Sequence, residues 1–156
     1  DLGLSAGDAR RIEHEQRLVA ALALAGARFV VMAGYMRIVT PHLIEAFRSE
    51  RGYSRIVNVH PSLLPAFAGV DAYAQAFNFG AKVTGVTIHL VEVDVDSGPV
   101  LAQESFSIAE CGSAAEVEKR GLVIEHRLYP ATLGWALAEN FAVERSTTGR
   151  LRVRPN

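Results

Sequence analysis

Cysteine is almost absent. The 156 residues contain one, Cys111. An internal disulfide and a thiolate metal site are therefore excluded, and a reducing, cytoplasmic setting is expected. Net charge is also small, −1 at neutral pH, which argues against a nucleic-acid-binding surface. Long apolar runs are missing. The nearest candidate, Leu18 to Met36, is broken by Gly26 and contains Arg28, so it reads as a helix end followed by a buried strand, not as a membrane span. No H-E-x-x-H or paired His/carboxylate spacing is present, so no metal is expected. No serine or cysteine sits in a nucleophile elbow, since G-x-S-x-G does not occur. Internal repeats and low-complexity segments are lacking. The chain opens at Asp1 without a start methionine, a basic leader or a cleavage site, and an incomplete N-terminus is expected.

What remains is the composition of one globular domain over residues 1–156, with 49% hydrophobic and 21% charged residues, long enough for a real core. The apolar pattern predicts a helix from Asp8 to Ala25, with Ile12, Val19 and Leu22 near one face and Gly26 as its stop. Phe29 to Ala33 is a continuous apolar run, the mark of a parallel strand covered on both faces. Thr40 and Pro41 start a second helix reaching about Phe47. Strand, helix, strand in that order implies a right-handed parallel crossover.

The second strand leads into the most informative stretch, Arg55 to Gly69. Ile56, Val57 and Val59 are apolar. Asn58 and His60 alternate with them, so both polar side chains leave the same face. Pro61 ends the ladder because it has no amide hydrogen. Two readings of Asn58 and His60 stay open here: they satisfy backbone groups at a strand end, or they form a reaction centre at the mouth of a rigid loop.

Asp71 to Phe79 is a short helix closed by Gly80. Val83 to Val93 is the longest strand candidate, with Thr87 and His89 on one face and Val86, Ile88 and Leu90 on the other. Asp94 to Pro99 is a turn-rich loop, and Val100 to Ile108 should return antiparallel. Ser113 caps a long helix running to about Asn140, weakened by Gly121 and kinked at Pro130. Phe141 to Val153 reads as a hairpin whose alternating Arg150, Arg152 and Arg154 protect a solvated edge.

The expected fold is α/β, with a mostly parallel central sheet, helices on both faces and an antiparallel strand in the C-terminal half. Asn58, His60, His89 and Asp96 are expected at one edge of it, outside the carboxyl ends of strands. An amide and an imidazole can donate to a developing oxyanion. Asp96 could hold His60 charged, or accept a proton through water. This set, without a nucleophile or a metal, suits direct acyl transfer.

The stretch Asn58-Val59-His60-Pro61-Ser62-Leu63-Leu64-Pro65 resembles the signature of the folate-dependent formyltransferases. Asp96-Ser97-Gly98-Pro99 is similar to that superfamily's second motif. Ala33 to Ile38, Gly85 to His89 and Glu125 to Pro130 point within it to the members that formylate glycinamide ribonucleotide in purine biosynthesis. The resemblance covers nearly the whole chain. It implies a Rossmann-like formyltransferase fold, 10-formyltetrahydrofolate as co-substrate and the ribonucleotide amine as acceptor. It implies Asn58, His60 and Asp96 as the catalytic trio. It implies a folate pocket walled by Met36, Arg37, Ile38, Val39, Val91, Glu92, Val93 and Asp94, much of it through backbone groups. Pro61 and Glu125 correspond to ribonucleotide contacts, Glu125 to the residue that binds the ribose hydroxyls. His89 and Thr87 correspond to supporting residues. Partners are expected to be small molecules, with the chain a monomer or homodimer.

One departure is large. The family begins with a strand, a Gly-rich phosphate loop and a helix that have no counterpart here, since Gly3 and Gly7 lie in no such context. At least one βαβ unit of about 30 residues would supply them, and little transferase activity is expected from the 156 residues alone. Two alternatives accompany this reading. One is a formyltetrahydrofolate deformylase, which usually carries a second histidine where this chain has Pro61. The other is a non-catalytic folate-binding module.

Overall fold

Gly26 stops the first helix as its position dictates. Helix α1 (Ala6–Leu24) runs into Gly26 at φ +66°, and Ala27 N–H closes back on the Leu22 carbonyl at 3.0 Å. The computed structural model describes residues 6–156. Gly3 and Asp1 lie outside them, and Gly7 falls within α1.

Strand β1 (Val30–Met32) follows, then helix α2 (Pro41–Ala46), whose N-cap Thr40 accepts His42 N–H through its side chain while Pro41 opens the first turn. The buried carboxylate of Glu15 receives both the Thr40 amide, at 2.9 Å, and the Thr40 hydroxyl. Helix α1 is thereby tied to the start of α2. Strand β2 (Ile56–His60) pairs parallel with β1, Val30 opposite Ile56 and Met32 opposite Asn58. The crossover expected for this unit is therefore present.

Helix α3 (Ala72–Phe79) ends at Gly80 in the left-handed region. Strand β3 (Val83–Leu90) pairs antiparallel with β2, and strand β4 (Val100–Ser107) antiparallel with β3. The sheet order is β1-β2-β3-β4. Parallel pairing, expected through most of the sheet, is confined among the described residues to β1–β2. The cause is local. His60 is paired with Thr87, so β3 begins beyond the end where β2 stops. The loop after β2 and α3 stay at that end and do not carry the chain back across a sheet face.

Helix α4 (Ala114–Ala136) precedes a hairpin of β5 (Phe141–Arg145) and β6 (Leu151–Pro155). Ser113 caps the helix as expected, accepting Glu116 N–H, while the Glu116 carboxylate reaches one residue past the capping-box position and accepts Gly112 N–H. Gly121 weakens α4 by propensity, but a Cβ there would collide with the Tyr73 hydroxyl. Close packing of α3 on α4 explains the glycine.

Alternation along the strands divides the core. Val57, Val86, Ile88 and Leu90 pack with Tyr129, Ala136 and Phe141 on one side. Met32 and Ile56 pack with Val39, Leu43, Ile44 and Phe47 of the α2 layer on the other, with Leu18, Val19 and Leu22 of α1 against them. Each fully buried side chain of this kind contributes about 1.5–3 kcal/mol of transfer free energy. The β1 run was expected to be covered on both faces; Val31 is instead 42% exposed. Among the described residues no helix is long and apolar enough to cross a membrane.

Candidate active site

The antiparallel register sets the site. It pairs Asn58 with His89 and His60 with Thr87, so four polar side chains leave one face as two cross-strand pairs. Asn58 Nδ2 stands 3.4 Å from His89 Nε2. His89 Nδ1 lies 3.0 Å from the Leu90 carbonyl, which can only accept. The proton of a neutral His89 thus sits on Nδ1, and Nε2 accepts from Asn58. Burial holds the His89 pKa below the ordinary histidine range and outweighs the Leu90 carbonyl and the Asp96 charge, which pull it up. A neutral ring fits this hydrogen-bond pattern.

Asp96 arrives from the other direction. Strand β3 ends at Leu90 beside the start of β2, where Val91 N–H donates to the Ile56 carbonyl at 2.8 Å. The loop must then fold back over the face to reach His60. Gly98 permits this, since a Cβ there would run into the Leu90 carbonyl oxygen. Asp96 sits at φ +52°, a left-handed conformation that costs a non-glycine residue on the order of 1–3 kcal/mol and clusters at functional sites. Its Oδ2 lies 3.3 Å from His60 Nδ1 and accepts Gly69 N–H at 2.8 Å. Its Oδ1 is 3.7 Å from His89 Nε2. His60 Nε2 meets the Phe67 carbonyl at 2.9 Å, so both of its ring nitrogens face oxygen acceptors, an arrangement that an imidazolium satisfies. The set lies where the sequence places it, at the carboxyl ends of β1 and β2, whose following loops line the same cavity, and it is covered by the returning loop.

The face opens into a cavity of about 610 Å³, lined by Asn58, His60, His89 and Asp96 on one side and by Glu118 and Glu125 of α4 on another. Met36, Arg37, Ile38, Val39, Val91, Glu92 and Val93, named from the sequence as pocket walls, all line it, as does Pro61. Met36 and Ile38 are exposed at 83% and 58%, an apolar rim fit for a flat ring system. Asp94 does not line the cavity; its carbonyl accepts the Ser97 amide and hydroxyl and shapes the loop. The Glu92 carboxylate is held by Arg48 at 2.9 Å and receives Ser54 N–H at 3.3 Å, so its offer to the cavity is backbone.

Thr87 is not a cavity residue either. Its hydroxyl donates to the Ser62 carbonyl at 2.6 Å and accepts from Leu64 N–H and Gln103 Nε2. It clamps the loop after β2, whose Leu64–Pro65 peptide is cis. Three contributors were not read from the sequence: Phe67, Gly69 and Tyr73. Phe67 and Gly69 act through backbone atoms, which no side-chain motif reveals. Tyr73 donates to Glu125 Oε1 at 2.8 Å, and burial first, then Glu125, pushes its pKa up. The glycine at 121, otherwise odd inside a helix, was its one trace.

A strand-borne amide and imidazole with a loop carboxylate, over an apolar-rimmed cavity, are groups of the kind that suit acyl transfer. Residues 5–133 match the family model described as formyl transferase, and the chain belongs to that family. It is 38% identical over 132 residues to the phosphoribosylglycinamide formyltransferase of Bacillus subtilis, covering 85% of this chain and 65% of that protein. Among solved structures, glycinamide ribonucleotide transformylase 1 from Symbiobacterium toebii is similar with a TM-score of 0.80 and 38% identity, over 90% of this chain and 62% of that one. A formyltetrahydrofolate deformylase from Pseudomonas syringae is similar at 0.75 and 26% identity, over 87% of this chain and 43% of that one. The chain thus spans less than two thirds of the length of each of these relatives.

Proposed function

We propose that the protein transfers a formyl group from 10-formyltetrahydrofolate to the amine of glycinamide ribonucleotide, in de novo purine biosynthesis. The observation that carries this is the convergence of Asn58, His60 and Asp96 on one cavity. The acceptor nitrogen forms a bond to the formyl carbon, and the carbonyl electron pair moves to its oxygen. Asn58 and protonated His60 donate to that oxygen. The carbonyl then re-forms as the bond to the folate nitrogen breaks. The proton lost by the amine passes to the departing nitrogen through a water ordered by Asp96, which also orients His60. One preorganised donor of this kind supplies about 2.7–4 kcal/mol of barrier lowering. The apolar rim at Met36 and Ile38 and the backbone of residues 91–93 suit a pterin, and Glu125 suits a ribose diol.

The deformylase reading uses the same trio with water as acceptor. Pro61, where such enzymes usually carry a second histidine, favours the transferase. Acceptor dependence tests the choice in the full protein. Formyl loss from the folate should require glycinamide ribonucleotide and yield its formamide. Equal formyl loss without the ribonucleotide would replace this reading with hydrolysis. Folate binding without turnover under either condition would leave a binding module.

A further inference from the structure

A second cavity, of about 280 Å³, lies where the β5–β6 hairpin meets the loop that carries Asp96. Ser97, Pro99 and Glu92 line it from the loop side, Arg145 and Arg150 from the hairpin. The two guanidinium groups differ from several others among the described residues. Arg28, Arg48, Arg55, Arg127 and Arg154 each face a carboxylate. Arg145 and Arg150 have no carboxylate partner among the described residues. Arg145 Nη1 donates to the Gly149 carbonyl at 2.9 Å, and Arg150 Nη2 to the Ser97 carbonyl at 2.8 Å. Each single bond fixes a guanidinium while leaving most of its donors free. The one acid on the cavity wall, Glu92, has both oxygens on Arg48, a guanidinium it shares with Glu45. The positive charge that faces the cavity is that of two planar, always-ionised forks, which match oxyanions in bidentate geometry.

We propose that this cavity binds a small divalent oxyanion, of the phosphate or dicarboxylate class, between Arg145 and Arg150. Arg150 bridges the cavity and the carbonyl of the residue after Asp96, so the occupant also braces the Asp96 loop. Neither the formyl transferase match nor the mechanism above assigns this site. The proposal does not rest on them.

Calorimetric titration with inorganic phosphate, and separately with succinate, tests it. The two arms distinguish a phosphate-type from a dicarboxylate ligand. At least one should bind with 1:1 stoichiometry at this cavity. Arg145→Gln and Arg150→Gln should each weaken that binding at least tenfold. Arg145→Lys, which keeps the charge and loses the fork, should weaken it less and serves if a glutamine variant does not fold. Arg152→Gln, on the same hairpin but off the cavity, should change it less than twofold. In the parent, saturating anion should shift the Asp96 and Ser97 amide resonances, and in Arg150→Gln it should not. Binding of neither anion, equal binding by the Arg145 and Arg150 variants, or an equal loss in Arg152→Gln would overturn the site. Unmoved loop resonances on saturation would overturn the bracing.

Discussion

Asp96 Oδ2 lies 3.3 Å from His60 Nδ1, and the two residues are placed by different elements. His60 ends β2, while Asp96 is carried back over the face by a loop that starts at the far end of β3 and is pinned by Gly69 N–H. The carboxylate and the imidazole, distant in sequence, thus form one unit whose geometry depends on how closely that loop approaches the strand.

Gly98 controls this approach. Gly98→Ala puts a methyl group into the Leu90 carbonyl, and the loop must lift. A cost of about 1–3 kcal/mol in stability is expected, with a fall in kcat of at least tenfold. Urea unfolding and steady-state kinetics read the two effects. A stable variant with parental kcat would mean that loop height does not set Asp96.

Tyr73 orients Glu125 through its 2.8 Å bond. Tyr73→Phe removes that bond and keeps the ring packing against Phe106. KM for the ribonucleotide should rise several-fold while kcat stays within about twofold, as lost ground-state positioning requires. An unchanged KM would separate Glu125 from ribose recognition.

His89 makes stability depend on pH. Its folded pKa lies below the ordinary 6.5 because it is buried. Above 6.5 the ring is neutral folded or unfolded, and this group contributes no slope. Between the lowered folded value and 6.5 the unfolded chain holds a proton that the folded chain does not. Stability therefore rises with pH in that window and is lost as pH falls through the folded value. Urea midpoints measured downward from pH 6.5 should decline less steeply in His89→Gln than in the parent. Parallel declines would contradict the buried neutral ring.

At the opposite end of α4, Glu139 gathers Arg28, Arg55 and the Tyr53 hydroxyl. The Arg55 hydrogen bond holds its carboxyl below the usual carboxylate range, against burial, which raises it. Hydrogen bonds to charged groups are worth about 1.5–3 kcal/mol, so Glu139→Ala should cost about that much at neutral pH. Its lowered pKa means the contribution is full above the ordinary carboxylate range and is lost as pH falls through the folded value. The parent and the variant should therefore converge in stability in acid. A constant gap across that range would show a packing effect instead.

Much of this was legible in residue order. Asn58 and His60 were put on one face by strand alternation, and the register kept them there. Thr87 and His89 were likewise paired on one face of their strand. Gly26, Gly80 and the Ser113 cap end or begin helices where local chemistry dictates. What the chain order concealed was non-local. The direction of β3 depended on where the loop after β2 and α3 would lie. The return of the Asp96 loop depended on a glycine whose importance is set by a carbonyl eight residues earlier in the chain. Thr87 corresponds by resemblance to a supporting residue, but that it acts as a clamp on the loop after β2 depends on Ser62, Leu64 and Gln103 around its hydroxyl. The backbone donors and acceptors at Gly69 and Phe67 carry no residue-type signature.

Asp96→Asn tests the central claim most directly, because it keeps the shape and removes the charge. In the full protein, kcat for formyl transfer is expected to fall by about 10²–10³, the scale of one lost electrostatic contributor. The dissociation constant for the folate co-substrate should change by less than about threefold. A variant that transfers formyl groups at the parental rate would contradict the account.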